Sequence, residues 1–333
     1  MPWTPLETLR QRIHEAGGFV NAHAHFDRAY TVQPADVGIG GNSNRHLFDK
    51  WEIVNKYKSG ATEETYFEHI ELALDAMQRQ RVQACLSFID CDPVCEDRAV
   101  RVASAIREDM KFEAEADGDP SRMKFIIACQ TLQGVRDPEA RKWTEKALDY
   151  VDIIGGLPKR DYPYDGEHLD TLMGWAKDTG KRLHVHVDQL NSPDEYETEK
   201  LARYTMRHGL EGQVTAVHSI SLAAHPERYR REVYKMCRDA GLSFVTCPTA
   251  WIDARRSPVW TPTHNAITPL DEMLEEGLVV AIGTDNIADV YKPYCDGDLM
   301  TELRVLLEAT HTYDLDSLVR VATANGLKVL GLD

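Results

Sequence analysis

Five histidine and aspartate side chains stand directly after short apolar runs of this sequence. His23 and His25 close the first run, His186 and His218 close two later runs, and Asp285 follows the last. Imidazole and carboxylate groups without a thiolate suit zinc, iron or manganese. The chain has 13 histidines, so a single one would mean little. The presence of these histidine and aspartate side chains at the ends of four separate apolar runs predicts a metal site.

The apolar runs alternate with longer segments of helical period. There are eight such runs, at residues 18–21, 82–89, 124–129, 151–157, 182–187, 214–218, 242–246 and 278–283. Eight strands alternating with helices predict an α/β protein, a single (β/α)8 TIM barrel over residues 1–333. A doubly wound open sheet is the alternative, although no G-x-G-x-x-G follows the first run.

The barrel would gather these groups in one place. Active sites of such barrels lie at the carboxyl ends of the strands, and residues two apart on a strand face the same side. His23 and His25 would then face the barrel interior together, opposite His186, His218 and Asp285. Helical spacing also predicts two buried stripes, one with Phe67, Ile70, Leu74 and Met77 and the other with Leu299, Leu303 and Leu306.

Composition excludes several classes of protein. The chain has 38 basic and 54 acidic residues, which gives a net charge of −16, so a nucleic acid partner is not expected. No stretch approaches the roughly 20 apolar residues of a membrane span, and the N-terminus lacks the apolar core of a secretory signal. Seven scattered cysteines are typical of reduced thiols, which indicates a cytoplasmic protein.

The segment Asn21 to Arg28 reads N-A-H-A-H-F-D-R and resembles the opening motif of the amidohydrolase superfamily, most closely its cytosine deaminase-like branch. The resemblance covers about residues 18–332. It extends to H-V-D-Q at 186–189, V-T-A-V-H-S at 214–219, F-V-T-C-P at 244–248, G-T-D-N at 283–286 and A-T-A-N-G-L at 322–327.

The resemblance implies a metal-dependent hydrolase of non-peptide carbon–nitrogen bonds. His23, His25, His186 and Asp285 would bind one divalent cation, zinc in the first place, with iron or manganese as alternatives. Asp285 would also accept a proton from the attacking water and pass it to the leaving nitrogen. His218 would polarise the substrate or orient the nucleophile, although in two-metal relatives it is a ligand.

Two departures from the family pattern alter these expectations. Too few residues flank the barrel for the usual β-sandwich, so a bare barrel is expected. Gln189 stands where the deaminases carry a glutamate that shuttles a proton to the substrate ring, and an amide cannot do this. We therefore expect hydrolysis of an amide, a cyclic amide or a substituted N-heterocycle. A cytosine- or triazine-type deaminase is the alternative, and a non-catalytic small-molecule binding barrel is the remote one.

Several further residues are candidates for binding a small-molecule substrate. Lys159 follows the fourth run, where two-metal relatives carry a bridging carbamylated lysine. We favour a loop lysine, or a cation that binds an anionic substrate, and hence one metal. The other candidates follow the third, seventh and eighth runs: Gln130, Gln133, Trp251, Arg255 and Asn286.

Two expectations concern the surface of the barrel. Residues 32–60 are too long for a tight turn and are expected to form a long loop that acts as a lid, with Trp51 as a candidate anchor. Asp27 and Arg28 are expected to form an ion pair at the mouth. The resemblance also makes a homo-oligomer the expected assembly.

Overall fold

The computed structural model describes residues 3–119, 122–250 and 266–333, together with the backbone of 251–252. Across these ranges eight parallel strands form one sheet, in which each strand pairs with the next along the chain. The strands are β1 (Phe19–Ala24), β2 (Val82–Asp90), β3 (Lys124–Gln130), β4 (Ile153–Gly156), β5 (Arg182–Val187), β6 (Val214–His218), β7 (Ser243–Thr246) and β8 (Val279–Ile282).

Helices connect the strands and surround the sheet. In the described part of the chain they are α1 (Pro5–Glu15), α2 (Leu47–Gly60), α3 (Glu63–Arg79), α4 (Arg98–Asp117), α5 (Pro138–Ala147), α6 (Asp165–Thr179), α7 (Glu197–His208), α8 (Glu227–Asp239), α9 (Leu270–Glu275), α10 (Leu299–Thr310), α11 (Leu315–Ala322) and α12 (Ala324–Leu330). The predicted (β/α)8 barrel is confirmed, and no β-sandwich accompanies it within the described ranges.

The last strand closes the barrel against the first. Asp285 forms a parallel bridge with Ala24, and its backbone N–H donates to the carbonyl of His23 over 2.9 Å. A Cβ on Gly283 would lie 2.7 Å from that same carbonyl oxygen. Only glycine therefore allows the end of β8 to approach β1 so closely. This approach brings Asp285 beside the two histidines.

The helical stripes that the spacing predicts are buried, with one exception. On α3, Ile70, Leu74 and Met77 are buried in the core between helices and sheet. Phe67 is half exposed, so its inclusion in that stripe was wrong. The side chain of Thr62 begins this helix by accepting a hydrogen bond from the N–H of Thr65, a standard helix-capping contact.

The connection between β1 and β2 is more regular than a loop. Residues 32–60 contain two short 3-10 turns, Pro34–Asp36 and Asn42–Asn44, and the whole of α2. Leu47, Trp51 and Val54 are buried from this helix. A long loop was expected for all of residues 32–60, but the second half of the segment is a packed helix. No helix in the described ranges is long and apolar enough to cross a bilayer.

Candidate metal and substrate site

The end of β1 and the residue after β8 supply the first three polar groups of the site. The Nε2 atoms of His23 and His25 lie 3.4 and 3.2 Å from Oδ1 of Asp285. All three side chains are almost completely buried. Their ligand atoms lie within 4.8 Å of one another, close enough to bind one cation.

Strands β5 and β6 bring two more histidines to the same point. The ring centroids of His186 and His218 lie 4.8 and 5.4 Å from that of His23, and 5.3 Å from each other. His23, His186 and His218 also form a group whose ligand atoms lie within 4.8 Å of one another. The structure therefore brings together the four histidines and the aspartate of the sequence-based prediction.

Many polar atoms of this cluster have no hydrogen-bond partner among the described residues. They include both ring nitrogens of His23, Nδ1 of His25 and of His218, and Oδ2 of Asp285. Buried polar atoms in native proteins are normally paired, and an exception requires an explanation such as an ion. Four neutral imidazoles and one carboxylate are a donor set that fits a divalent transition metal.

Burial holds the imidazoles in their ligating form. It lowers the pKa of His25 and of His218 to about 3, and it lowers the pKa of His186 well below its usual value. Burial alone would raise the pKa of Asp285, but the adjacent imidazoles of His23 and His25 bring it well below its usual value. Neutral histidines beside an ionised aspartate are the protonation states that metal binding requires.

Backbone strain accompanies the strand ends. His218 and Ser219 have φ angles of 78° and 52°, and Asp285 has a φ of 58°. A non-glycine residue in this left-handed region costs about 1–3 kcal/mol and persists where the surroundings enforce it, often at active sites. His218, which ends β6, and Asp285, which follows β8, thus both have a strained backbone at the proposed metal site.

A small cavity of about 20 Å³ opens beside the histidines. This is roughly the room that one water molecule takes, well below the ~300–1,000 Å³ of typical ligand pockets. Its wall is shared by the metal-site residues His25, His186, His218 and Asp285, by the amides Gln130, Gln189 and Asn286, by Arg28 and Tyr291, and by the apolar residues Leu47, Trp51, Leu132 and Leu157.

The predicted substrate residues differ in where they lie. Gln130, Gln189 and Asn286 line this cavity, whereas Gln133 and Lys159 do not. The structure thus distinguishes between Gln130 and Gln133, which the sequence left open. Arg255 lies outside the described residues, and so does the side chain of Trp251.

Lys159 contacts acidic residues. Its Nζ lies 2.7 Å from Oε1 of Glu195 and 3.8 Å from Oε1 of Glu197. Both glutamates are buried, and Glu197 accepts a hydrogen bond from the N–H of Asp188. Asp188 in turn accepts from the N–H of Glu197 at the start of α7, so this reciprocal contact anchors the loop that carries Gln189.

Two buried aspartates, Asp90 and Asp289, were missed by the sequence analysis. Asp90 ends β2 and accepts a hydrogen bond from Nε2 of Gln130 over 3.1 Å. Asp289 accepts from Nδ2 of Asn286 over 2.5 Å. The strand-end rule that found the other groups would have found Asp90, since it closes the second apolar run. Asp289 lies beyond a strand end, so no such signal marks it.

Arg28 lies between these two aspartates. Its Nη1 is 3.3 Å from Oδ1 of Asp90, and its Nε is 3.7 Å from Oδ2 of Asp289. The carboxylate of Asp27 instead accepts the backbone N–H of Asp90. The ion-pair partners of Arg28 are therefore Asp90, at the end of β2, and Asp289, in the segment after β8. The expected ion pair between Asp27 and Arg28 was wrong.

Helix α2 is attached to the same network. Nζ of Lys58 lies 3.1 Å from Oδ2 of Asp90 and also contacts Asp92. Leu47 and Trp51 from the other end of the helix line the cavity. This helix therefore covers the mouth and is bound to the barrel through buried ion pairs.

Comparison with known proteins places this site in a family. The model of the amidohydrolase family matches residues 62–333. An uncharacterized protein of Haemophilus influenzae is 43% identical over 271 residues, which are 80% of this chain and 94% of that protein. The N-isopropylammelide isopropyl amidohydrolase of Pseudomonas sp. is 25% identical over 340 residues, which are 98% of this chain and 78% of that protein.

A solved structure agrees with this placement at the level of the fold. The 5-methylcytosine deaminase of Klebsiella pneumoniae superposes with a TM-score of 0.83 and 22% identity, over 95% of this chain and 75% of that one. The chain belongs to the amidohydrolase family and is a metal-dependent hydrolase that acts on carbon–nitrogen bonds.

Proposed function

We propose that this protein hydrolyses the bond between a ring carbon and an exocyclic amine nitrogen of a small, neutral N-heterocycle. The observation that carries the proposal is the shared cavity. One small space is lined by His25, His186, His218 and Asp285 and also by three side-chain amides. Amides bind the mixed donors and acceptors of a heterocycle edge without requiring a charge on it.

One divalent metal would be held by His23, His25, His186 and Asp285. Once bound, it would supply a Lewis acid that lowers the pKa of water toward neutrality. Asp285 accepts the proton of the attacking water and returns it to the leaving nitrogen. His218 lies at the cavity wall and polarises the substrate. Gln130, Gln189 and Asn286 hold the ring in place.

A single zinc ion is the proposed cofactor, with iron or manganese as alternatives. Lys159 supports the single-metal assignment, because its ammonium group is paired with Glu195. Burial tends to lower the pKa of Lys159, but the charges of Glu197 and Glu195 outweigh it and raise the pKa. Carbamylation requires a neutral amine, so this environment opposes the formation of a metal bridge.

Gln189 favours a reaction in which an amine is displaced without protonation of a ring nitrogen. The position lies on the cavity wall, and its amide binds a carbonyl or a ring N–H but does not shuttle protons. Hydrolysis of an amide or a cyclic amide meets the same requirement. The amidohydrolase of Pseudomonas sp. acts on N-isopropylammelide, and an N-alkylated amino-oxo-triazine is accordingly our first candidate substrate.

The test is a mass-spectrometric assay of the zinc-loaded protein with N-isopropylammelide, cytosine and a cyclic amide in separate reactions. Loss of isopropylamine from N-isopropylammelide with gain of oxygen is the expected result. Release of ammonia from cytosine at a comparable rate would favour the deaminase alternative and contradict our interpretation of Gln189. The variant Asp285→Asn is the control, and it should abolish any turnover that the metal site produces.

We also propose a cytoplasmic homo-oligomer. All seven cysteines are free thiols, six of them buried, which suits a reducing compartment. Trp3 and Tyr313 are exposed apolar side chains that line one groove together with Leu6 and Leu315. Light scattering coupled to size-exclusion chromatography would give the oligomeric state. A monomer at micromolar concentration would contradict this part of the proposal.

A further inference from the structure

Two amides on the cavity wall are turned the same way by buried carboxylates. Gln130 donates from Nε2 to Oδ1 of Asp90, and Asn286 donates from Nδ2 to Oδ2 of Asp289. A carboxylate only accepts hydrogen bonds, so each amide must direct its NH2 group toward its aspartate. The carbonyl oxygen of each amide is then left for the cavity. Oε1 of Gln130 indeed has no partner among the described residues.

Arg28 keeps both aspartates in the accepting state. It contacts Asp90 and Asp289 from a buried position between them. Lys58 adds a second cation beside Asp90. Burial would raise the pKa of Asp90, but Lys58 and Arg28 lower it below its usual value. Burial raises the pKa of Asp289 to about 6, so this carboxyl is mainly ionised at neutral pH.

The same ion pairs remove positive charge from this wall. The guanidinium group of Arg28 faces the carboxylates of Asp90 and Asp289, and the ammonium group of Lys58 faces those of Asp90 and Asp92. Each cation is therefore balanced by buried carboxylates. The wall thus presents two neutral acceptors to whatever ring enters the cavity.

We propose that Arg28, Asp90 and Asp289 are positioning residues. They orient the carbonyl oxygens of Gln130 and Asn286 so that these oxygens accept hydrogen bonds from two substrate N–H groups. The inference rests on the proposed function and narrows its substrate class. The ring that binds is a lactam-form heterocycle with unsubstituted N–H groups at two positions. Full N-methylation of such a ring keeps the ring planar but removes both donors, and each methyl group then faces a carbonyl oxygen.

The test measures binding by calorimetry with the zinc-loaded protein, so it needs no turnover. The probes are uracil with its 1-methyl, 3-methyl and 1,3-dimethyl derivatives, and cyanuric acid with trimethyl isocyanurate. We expect each parent ring to bind and full methylation to weaken binding at least tenfold. Equal binding of parent and methylated rings would overturn the proposal, and so would failure of both parent rings to bind.

The variants Asp90→Asn and Asp289→Asn test the orienting carboxylates separately. An asparagine can itself donate an NH2 group, so Gln130 or Asn286 is freed to turn its own NH2 group toward the cavity. We expect the tenfold preference for N–H over N–CH3 at the matching ring position to fall below threefold in each variant. An unchanged preference in both variants would overturn the proposal. Because the two variants are independent, either one suffices if the other does not fold.

A matched control distinguishes orientation from general destabilisation. Asp152 pairs with Arg107 and accepts the N–H of Ile127 at a position outside the cavity wall. Asp152→Asn also breaks an aspartate–arginine pair, but it should keep the full preference for N–H. Binding of the parent rings without turnover of N-isopropylammelide would refute the proposed reaction and leave this recognition intact. Turnover with tolerance of N-methylation would do the reverse.

Discussion

His184 and His186 lie two residues apart on β5, yet they make different contacts. His184 is bonded through Nε2 to the carbonyl oxygen of Val329 over 3.0 Å. His186 donates from Nδ1 to the carbonyl oxygen of Gly156 over 3.0 Å, which leaves Nε2 as the nitrogen with a lone pair. Outer hydrogen bonds of this kind select the tautomer of a metal-binding histidine. His186 joins the proposed ligand group, whereas His184 is bonded through Nε2 to Val329 in α12.

This difference predicts the metal content of two matched variants. His186→Gln should retain less than about one tenth of the zinc that the wild-type chain binds, since loss of a ligand costs several kcal/mol of metal affinity. His184→Gln keeps a side chain that can donate to Val329 and should bind one zinc per chain. Elemental analysis after dialysis measures both. Equal zinc content in the two variants would contradict the assignment of His186 as a ligand.

Gln189 is predicted to separate the two candidate reactions. A carboxylate at this position would restore a group that can donate and regain a proton. Gln189→Glu should therefore raise ammonia release from cytosine, by roughly tenfold or more if general acid–base catalysis is gained. Gln189→Ala should lower kcat/KM for the natural reaction. Steady-state assays on both substrates test this. Unchanged kinetics of the alanine variant would show that Gln189 has no role in the reaction.

Trp51 is predicted to close the cavity from α2. It is buried, lines the cavity and stacks on Phe48 at a centroid distance of 4.8 Å. Trp51→Ala would open the cavity to water, and we expect KM to rise about tenfold, which corresponds to about 1.4 kcal/mol of lost substrate binding. Phe48→Ala is the control, because Phe48 is partly exposed and does not line the cavity. Similar kinetics for both variants would argue against a lid at Trp51.

Glu197 is predicted to make stability depend on pH. Burial, reinforced by the charges of Glu195 and Asp188, raises its pKa from 4.5 to about 8. Between these values the folded chain holds a proton that the unfolded chain has lost. Stability therefore falls as pH rises through this window, by at most about 1.4 kcal/mol per pH unit for one proton. Above pH 8 the folded group ionises as well, and the decline ends.

Glu197→Gln removes this dependence and keeps an acceptor for the N–H of Asp188. Thermal unfolding between pH 5 and pH 8 should show a smaller decline in Tm for the variant than for the wild type. Glu139→Gln, at an exposed position on α5, controls for the removal of one surface carboxylate. A decline as steep in Glu197→Gln as in the wild type would show that the proton resides on another group.

The sequence predicted the features that depend on local patterns and missed those that depend on contacts between distant residues. The sequence pattern shows where each strand ends, and the carboxyl ends of parallel barrel strands lie at the same face of the barrel. This was enough to place five side chains together: His23, His25, His186, His218 and Asp285. The strand-end rule could have found Asp90 but not Asp289. The hydrogen bonds of Gln130 and Asn286 to these aspartates could not be predicted, because the residues meet only in the folded barrel. The role of Lys159 could not be predicted for the same reason, because its partner Glu195 lies in a different βα connection of the barrel.

The β1–β2 connection shows a second limit. Residues 32–60 were expected to form a long loop, because the charged residues of this segment obscure the apolar face of α2. Lys50 and Lys58 are completely or almost completely buried in the structure, although lysine is rarely buried without a partner. Lys58 can be buried because its ammonium group is paired with the carboxylates of Asp90 and Asp92, at and just after the end of β2. A sequence pattern based on apolar residues cannot detect such a face.

The central claim is that the His–Asp site uses water to break a carbon–nitrogen bond, and incubation in water enriched in oxygen-18 tests it most directly. The zinc-loaded chain, the chelated chain and Asp285→Asn would each be given N-isopropylammelide, and the products weighed by mass spectrometry. We predict one oxygen-18 atom on the ring and release of isopropylamine with the zinc-loaded chain alone. The same labelled product from the chelated chain or from Asp285→Asn would contradict the claim.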